Sequence, residues 1–156
     1  MNRKRNILML MITVALALAG CNRKTIYSHY EHTPIGGWEK VDHLSFTLSP
    51  VPESGDFSEE VGLRINGAYP FMGLTLIVEQ QTWPSGYMRS DTLSCNLIDE
   101  DGTILGEGIS FYQYNFPLSN ITLSKGDSLH VSIRHNMKRE ILPGISDIGL
   151  TLRKAD

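Results

Sequence analysis

The sequence contains few cysteines, no excess of basic residues and no apolar run long enough to span a bilayer. Because Cys21 and Cys95 are the only cysteines among 156 residues, a disulfide framework cannot support the fold. A formal net charge of −3 provides no basic face, so no nucleic-acid partner is expected. Hydrophobic residues nevertheless make up 41% of the chain, which excludes a wholly disordered protein. The length suits one domain with its own core.

The first twenty residues have the features of an export signal. Three basic residues at positions 3–5 precede the run 7–18, in which only Thr13 is polar. As a helix this run extends about 18 Å, well short of the ~30 Å hydrocarbon core. A basic segment followed by a short apolar segment is typical of a secretory signal. We therefore assign residues 1–20 to a signal peptide, whose removal takes the formal charge from −3 to −6.

The signal ends in Leu18-Ala19-Gly20-Cys21, which resembles the lipobox of bacterial lipoproteins. In that motif the cysteine thiol is acylated and the residue becomes the new amino terminus. Cys21 is therefore the predicted lipidation site. Each buried acyl methylene contributes about 0.8 kcal/mol, so two or three chains would hold the protein stably on a membrane. With Cys21 acylated, no disulfide within the chain is possible.

The mature chain is predicted to consist of a lipidated tether over residues 21–40 and one β domain over residues 41–156. Apolar and polar residues alternate in six segments of the β domain, as expected of strands with one face in a core. These segments are 44–48, 61–65, 74–78, 93–97, 129–133 and 148–152. Segment 109–116 is a seventh candidate strand, and segment 121–123 is a short eighth.

The expected fold is therefore all-β: an antiparallel β-sandwich, jelly-roll-like, with about seven or eight strands. Asp101-Gly102 predicts a hairpin with a type I′ turn, because both residues tolerate positive φ. No segment has helical periodicity over more than about two turns. Residues 137–142 are the best candidate for a single helical turn.

Catalytic and metal-binding patterns are absent from the sequence. His29 and His32 are close together, but both lie in the predicted tether. On a strand, His130 and His135 would point to opposite faces, so we interpret these histidines as solvated. Cys95 alternates with leucines on the predicted core face and is expected to pack as a small apolar residue. We predict no catalytic residue, metal site or cofactor.

Two segments contain candidate partner-binding residues. Trp83, Tyr87 and Met88 lie on or beside a predicted turn, where aromatic residues often bind a partner or a sugar. The alternative is that Trp83 covers the open end of the core.

The second segment has the basic residues Arg134, His135, Lys138 and Arg139 in an otherwise acidic chain, and these side chains are suited to steering an acidic partner. The alternative is that they pair with Glu140, Asp147 or other neighbours and only solvate a sheet edge.

A third segment is rich in aromatic residues on both faces. Tyr112, Tyr114 and Phe116 share one face of a predicted strand, and Ile109 and Phe111 share the other. Exposure of both faces would leave a large apolar patch. Either this strand is central and covered, which we favour, or one face contacts a partner.

The order of several motifs resembles the GldH family of gliding motility lipoproteins from Bacteroidetes. These motifs are Gly37-Trp38, Ala68-Tyr69-Pro70-Phe71, Trp83-Pro84-Ser85-Gly86, Ser90-Asp91-Thr92-Leu93, Leu97-Ile98-Asp99, Gly102 and Leu105-Gly106-Glu107-Gly108. The most specific part is 133–139 followed by 142–150. The resemblance implies an outer-membrane lipoprotein that supports gliding or the type IX secretion machinery together with other envelope proteins. The family provides no catalytic residues to carry over.

Bacterial sorting rules make the residues after Cys21 informative. The segment Asn22-Arg23-Lys24 contains no Asp, which favours the outer membrane, and no acidic cluster of the kind that surface-exported lipoproteins carry. We therefore expect a non-catalytic lipoprotein that faces the periplasm. The alternative is a glycan-binding envelope lipoprotein that uses the segment 83–88.

Overall fold

The computed structural model describes residues 24–155, which form twelve strands and no helix. This part of the chain therefore holds no helix that would cross a membrane. The strands are β1 (Thr25–His32), β2 (Trp38–Glu39), β3 (Leu44–Leu48), β4 (Gly55–Asn66), β5 (Gly73–Trp83), β6 (Met88–Asn96), β7 (Glu107–Gly108), β8 (Phe111–Pro117), β9 (Ile121–Leu123), β10 (Ser128–His135), β11 (Ile141–Leu142) and β12 (Ile145–Lys154).

The strands form two antiparallel sheets that enclose one core, which confirms the predicted all-β sandwich. The large sheet has the order β1-β12-β4-β8-β7, with β9 also pairing with β4. The small sheet has the order β3-β10-β5-β6, and β2 and β11 form a separate short ribbon. All eight predicted segments overlap strands, although Leu97 and residues 109–110 lie outside them. The strands that the sequence did not predict are β1, β2, β7 and β11.

The core is built from the alternate residues that the sequence pattern identified. Val131 of the small sheet and Leu150 of the large sheet are each 1% exposed. Cys95 is also buried, and burial raises the pKa of its thiol to about 12. The expectation that Cys95 packs as a small apolar residue is confirmed by its place in the hydrophobic core.

The two ends of the sandwich carry different parts of the chain. Thr25, at the start of β1, lies opposite Arg153, near the end of β12. In the small sheet, Trp83 at the end of β5 lies opposite Ser128 at the start of β10. The loop 49–54 joins the two sheets at this same end. We call this the anchor end, because residue 24 leads from it back towards the amino terminus, and we call the opposite end the far end.

The prediction of a tether is wrong over Thr25–His32, which is an edge strand of the large sheet. The ring of Tyr30 lies across the neighbouring strands β12 and β4, where Gly149 and Gly62 leave room for it. The guanidinium of Arg64 stacks on this ring with its central carbon 4.1 Å from the ring centroid. The segment did not look like a strand, because an edge strand with few apolar residues is held mainly by backbone hydrogen bonds to its neighbour.

Trp38 was also assigned to the tether, but its side chain is fully buried. Its indole N–H donates to the carbonyl of Asp42, and its ring packs edge-on against His135 at 5.3 Å between centroids. β2 pairs here with β11, which occupies part of the segment 137–142. The predicted helical turn at 137–142 is therefore wrong, because its last two residues pair as a strand.

The predicted hairpin at Asp101-Gly102 is confirmed, but its turn type is not I′. Gly102 has a φ of 84°, whereas no residue other than glycine in the described chain has a positive φ. The Asp99 carboxylate instead accepts the backbone N–H groups of Asp101 and Thr103. This geometry is that of a type I turn followed by a glycine bulge.

Strand β8 is covered on one face only. Tyr114 is buried in the core, with Tyr112 and Phe116 partly buried beside it. On the other face Phe111 is 55% exposed, and Ile109 just before the strand is 91% exposed. The expectation of a strand covered on both faces is therefore wrong. Only the two-residue β7 lies beyond β8 in the sheet, so β8 is not central, and Phe111 on its other face is more than half exposed.

The packing of the Tyr30 ring over Gly149 gives a test of how β1 is attached to the sheet. A methyl group added in Gly149→Ala would lie 2.6 Å from the Tyr30 ring. Such overpacking should lower the free energy of unfolding by about 1–3 kcal/mol. In a Tyr30→Ala background the same change should cost less than about 0.5 kcal/mol, because the ring is gone. Urea denaturation of the four proteins measures this coupling.

The control for this test is Gly67→Ala, since nothing lies within 4 Å of the added methyl group at that position. It should leave the free energy of unfolding unchanged. An equal cost of Gly149→Ala in both backgrounds would contradict the contact between β1 and β12 through Tyr30.

Candidate functional site

The first candidate site is the turn between β5 and β6 at the anchor end, residues 83–88, which we call the aromatic turn. Trp83 and Met88 are each 71% exposed, and Tyr87 is 49% exposed. The interpretation that Trp83 covers the open end of the core is therefore wrong. The aromatic turn presents three large side chains to solvent at one end of the domain.

The buried carboxylate of Asp127 fixes the aromatic turn through hydrogen bonds. The Ser85 hydroxyl donates to the Asp127 carboxylate at 2.6 Å, and the backbone N–H groups of Ser85 and Ser124 donate to it as well. These hydrogen bonds, that of the Ser85 hydroxyl foremost, lower the pKa of Asp127. Within the turn, Tyr87 and Thr82 exchange two further hydrogen bonds through their backbones and the Thr82 hydroxyl. The exposed side chains therefore stand on an ordered backbone.

The outer face of the small sheet carries an open depression of about 530 Å³. It is lined by residues of three neighbouring strands: Glu79, Gln80, Gln81, Met88, Arg89, Ser90, His130 and Ser132. Since residues two apart on a strand share a face, Trp83 lies on this face next to Gln81. The depression thus places polar side chains such as Gln81 and His130 beside the exposed side chains of Trp83 and Met88.

The second candidate site lies at the far end. Arg134 is the second-last residue of β10, and Lys138 and Arg139 follow the strand. Lys138 and Arg139 are exposed and Arg134 is half-buried. Within residues 24–155, none of the three forms an ion pair. The predicted partner Asp147 contacts His32 instead. The alternative of paired, merely solvating side chains is thus not what the structure contains. We call these three residues the basic end.

His135 does not belong to the basic end, contrary to the sequence-based expectation. Its side chain is fully buried, and its Nε2–H donates to the carbonyl of Trp38 at 3.2 Å. Burial lowers the pKa of His135, which disfavours a positive charge. His130 is exposed on the opposite face of β10, so the predicted alternation is confirmed. His29, His32 and His130 are exposed as predicted, and only the prediction for His135 is wrong.

The structure separates the two candidate sites that the sequence identified. Trp83 lies opposite Ser128, and Arg134 is six residues further along the same strand. At about 3.3 Å per residue, this places the aromatic turn and the basic end roughly 20 Å apart. Their opposite positions could not be inferred without the pairing of the strands. Cys21, the predicted lipidation site, lies outside the described residues.

A buried polar network, which sequence reasoning missed, ties β4 of the large sheet to β5 and β6 of the small sheet near the aromatic turn. Glu59, on the core face of β4, is 2% exposed and accepts hydrogen bonds from Gln80 at 3.0 Å and Arg89 at 2.7 Å. Arg89 also pairs with Asp91 at 2.7 Å. Burial raises the pKa of Glu59, against the opposing effects of Gln80 and Arg89.

The signal for this network was present in the sequence. Glu59 alternates with Phe57 and Val61, so a charged residue stands at a core position of an otherwise apolar strand. In residues 24–155 no group of three or more His, Cys, Asp or Glu side chains is arranged to hold a metal ion.

The raised pKa of Glu59 gives a pH-dependent prediction. The folded carboxyl binds its proton more tightly than the unfolded one, which titrates near about pH 4.3. The stability that this proton provides is present below that pH and is lost as the pH rises through the folded pKa. Glu59→Gln stays neutral throughout. Its free energy of unfolding should therefore rise, relative to the wild type, as the pH increases.

Urea denaturation of wild type and Glu59→Gln at several pH values measures this difference, and Glu100→Gln on the exposed hairpin controls for the loss of one charge. A difference between Glu59→Gln and wild type that stays constant or shrinks with rising pH would contradict the prediction.

Comparison with solved structures finds remote likenesses. A family GH115 4-O-methyl-α-glucuronidase aligns over 87% of this chain and 18% of its own, at 12% identity and a TM-score of 0.46. A family 35 carbohydrate-binding module from Clostridium thermocellum aligns over 86% and 94%, at 11% identity and a TM-score of 0.38. Both scores are too low to carry a functional argument.

Sequence comparison is more specific. The chain is 27% identical over 154 residues to the gliding motility lipoprotein GldH of Flavobacterium johnsoniae, which covers 94% of this chain and 96% of that protein. The family model described as GldH lipoprotein matches residues 25–152, which is most of the sandwich. The resemblance noted in the sequence is thereby confirmed. The chain belongs to the GldH lipoprotein family.

Proposed function

We propose that this motility-related lipoprotein is held in the outer membrane by acyl chains on Cys21, faces the periplasm and supports the gliding or type IX secretion machinery without catalysing a reaction. The name of the Flavobacterium relative supports the role in gliding. The lipobox and the absence of acidic residues at positions 22–24 support the anchor and its location. Cys95, the only thiol in residues 24–155, is buried and offers no nucleophile.

The observation that carries the proposal is the basic end. Arg134, Lys138 and Arg139 form no ion pair within residues 24–155, and they stand at the end of the sandwich opposite residue 24. A protein tethered at one end presents its other end to partners. Because unpaired cations attract acidic surfaces, the partner expected here is another envelope protein with an acidic contact face.

A second candidate function is glycan binding in the depression on the small sheet. Its polar lining, which includes Gln81 and His130, suits sugar hydroxyl groups, and Trp83 on the same face offers a ring for stacking. Isothermal titration against a glycan panel discriminates the two functions. Glycan binding that is lost in Gln81→Ala but retained in a variant of the basic end would favour this second function.

The anchor makes the first prediction of this proposal. Cys21→Ser should abolish incorporation of labelled fatty acid, because the hydroxyl cannot replace the thiol as the site of lipid attachment. The matched control is Cys95→Ala, which removes the other cysteine and should leave the label unchanged. Equal labelling of wild type and Cys21→Ser would refute the lipoprotein assignment of Cys21.

The basic end makes the second prediction. The double variant Lys138→Glu with Arg139→Glu should change the free energy of unfolding by no more than about 0.5 kcal/mol, since both side chains are exposed and unpaired. Crosslinking to envelope partners should fall on the order of tenfold, because attraction becomes repulsion.

The matched control exchanges the two residues, Lys138→Arg with Arg139→Lys, and keeps the charge. It should retain crosslinking. Wild-type crosslinking and secretion by the charge-reversed variant would remove the basic end as an interface.

A further inference from the structure

We propose that the aromatic turn sits in the headgroup region of the same bilayer that holds the acyl chains, so that the domain stands upright with its anchor end on the membrane. The inference rests on the acyl anchor of the proposed function and adds a second, non-covalent membrane contact to it. The partner of the aromatic turn is therefore a lipid surface.

The first support is the short distance between the anchor and the domain. Three residues lead from Cys21 to Lys24, and an extended chain of that length spans at most about 11 Å. The carbonyl of Lys24 accepts the backbone N–H of Lys154 at 2.7 Å, and Thr25 already pairs with β12. The sandwich therefore begins within four residues of Cys21, and its anchor end cannot lie far from the bilayer.

The second support is the chemistry of the side chains at this end. Trp83 and Met88 are mostly exposed, Tyr87 is about half exposed, and Ile26, at the start of β1, is 38% exposed. Tryptophan and tyrosine rings favour the level of the lipid headgroups, where one edge is apolar and the other is wet. Because Asp127 holds the turn in one conformation, little further ordering is needed when these side chains enter the interface.

The charges at the anchor end do not oppose a membrane contact. Lys125 is exposed in the turn that adjoins Asp127, and Asp127 itself is buried and bonded to Ser85. The nearby Glu53 is paired with Lys154 at 3.4 Å. Asp56, at the start of β4, is exposed, forms no ion pair within residues 24–155 and accepts a hydrogen bond from the Thr122 hydroxyl. Because Lys125 offsets this charge and the other two carboxylates are buried or paired, this end is compatible with a lipid surface.

The far end also has exposed apolar residues, which serve as a comparison for the aromatic turn. Phe111 lies opposite Asn66, the last residue of β4, and Ile109 precedes it. β4 has 12 residues, so Phe111 stands roughly 36 Å from the start of β4 at the anchor end. An upright domain keeps these residues away from the bilayer and directs the basic end towards the periplasmic space.

Fluorescence quenching by brominated lipid tests the proposal, because the chain has two tryptophans in different positions. Trp38 is fully buried at the far end, whereas Trp83 is exposed at the anchor end. The lipidated full-length protein is reconstituted into phosphatidylcholine vesicles that contain phosphatidylcholine brominated on the upper half of its acyl chains. Flotation of the vesicles first measures anchoring.

The wild type is expected to float and to lose the emission of one of its two tryptophans. Trp83→Phe should float equally and show no quenching, with Trp38 emission and circular dichroism reporting an intact fold. The matched control combines Trp83→Phe with Ile109→Trp, which moves the exposed probe to the far end. It should float and remain unquenched.

Flotation without quenching of Trp83 would overturn the membrane contact while leaving the anchor intact. The partner of the aromatic turn would then be a glycan or a protein. Equal quenching of the probes at positions 83 and 109 would overturn the upright orientation. Failure of the wild type to float would overturn the acyl anchor and the inference that rests on it.

Discussion

The hydrogen-bonded pairing of β1 with β12 decides how this domain is connected to whatever precedes it. β12 lies inside the large sheet between β1 and β4, so its position is fixed by the core. By pairing with it, β1 places residue 24 at one defined end of the sandwich. The aromatic ring of Tyr30, seated over Gly62 and Gly149, keeps this edge strand in place where its own apolar content is low. The aromatic turn and the basic end therefore lie at fixed distances from residue 24.

The two ends of the sandwich are packed differently. At the far end the contact is aromatic, because Trp38 of the short ribbon packs against His135 of the small sheet. Near the anchor end the contact is polar and joins the two sheets, because Glu59 of the large sheet binds Arg89 of the small sheet. A buried ion pair adds little net stability, but it requires one specific arrangement of the two sheets. Arg89 directly follows Met88, so this network also orients the strand that carries the aromatic turn.

The chain belongs to the GldH lipoprotein family, and its two candidate sites suit a protein that contacts a membrane at one end and a partner at the other. The aromatic turn and the basic end lie at opposite ends, and they differ in the partners that their chemistry suits. Lipid suits exposed aromatic rings beside a short anchor, and an acidic protein suits unpaired cations far from it. In this proposal the sandwich is a rigid spacer that holds an interaction surface away from the membrane.

Local sequence patterns predicted the export signal and the lipobox, which lie outside the described residues. They also identified eight of the strands and the side of each strand that faces the core, as Val131, Leu150 and Cys95 illustrate. Tertiary structure decided what depends on residues remote in sequence. Tyr30 belongs to a strand because Gly149 makes room for it, and His135 is buried because Trp38 covers it. Alternation is a local property that reports one face of one strand, whereas burial of a polar group and the end at which a turn emerges depend on which strands pair.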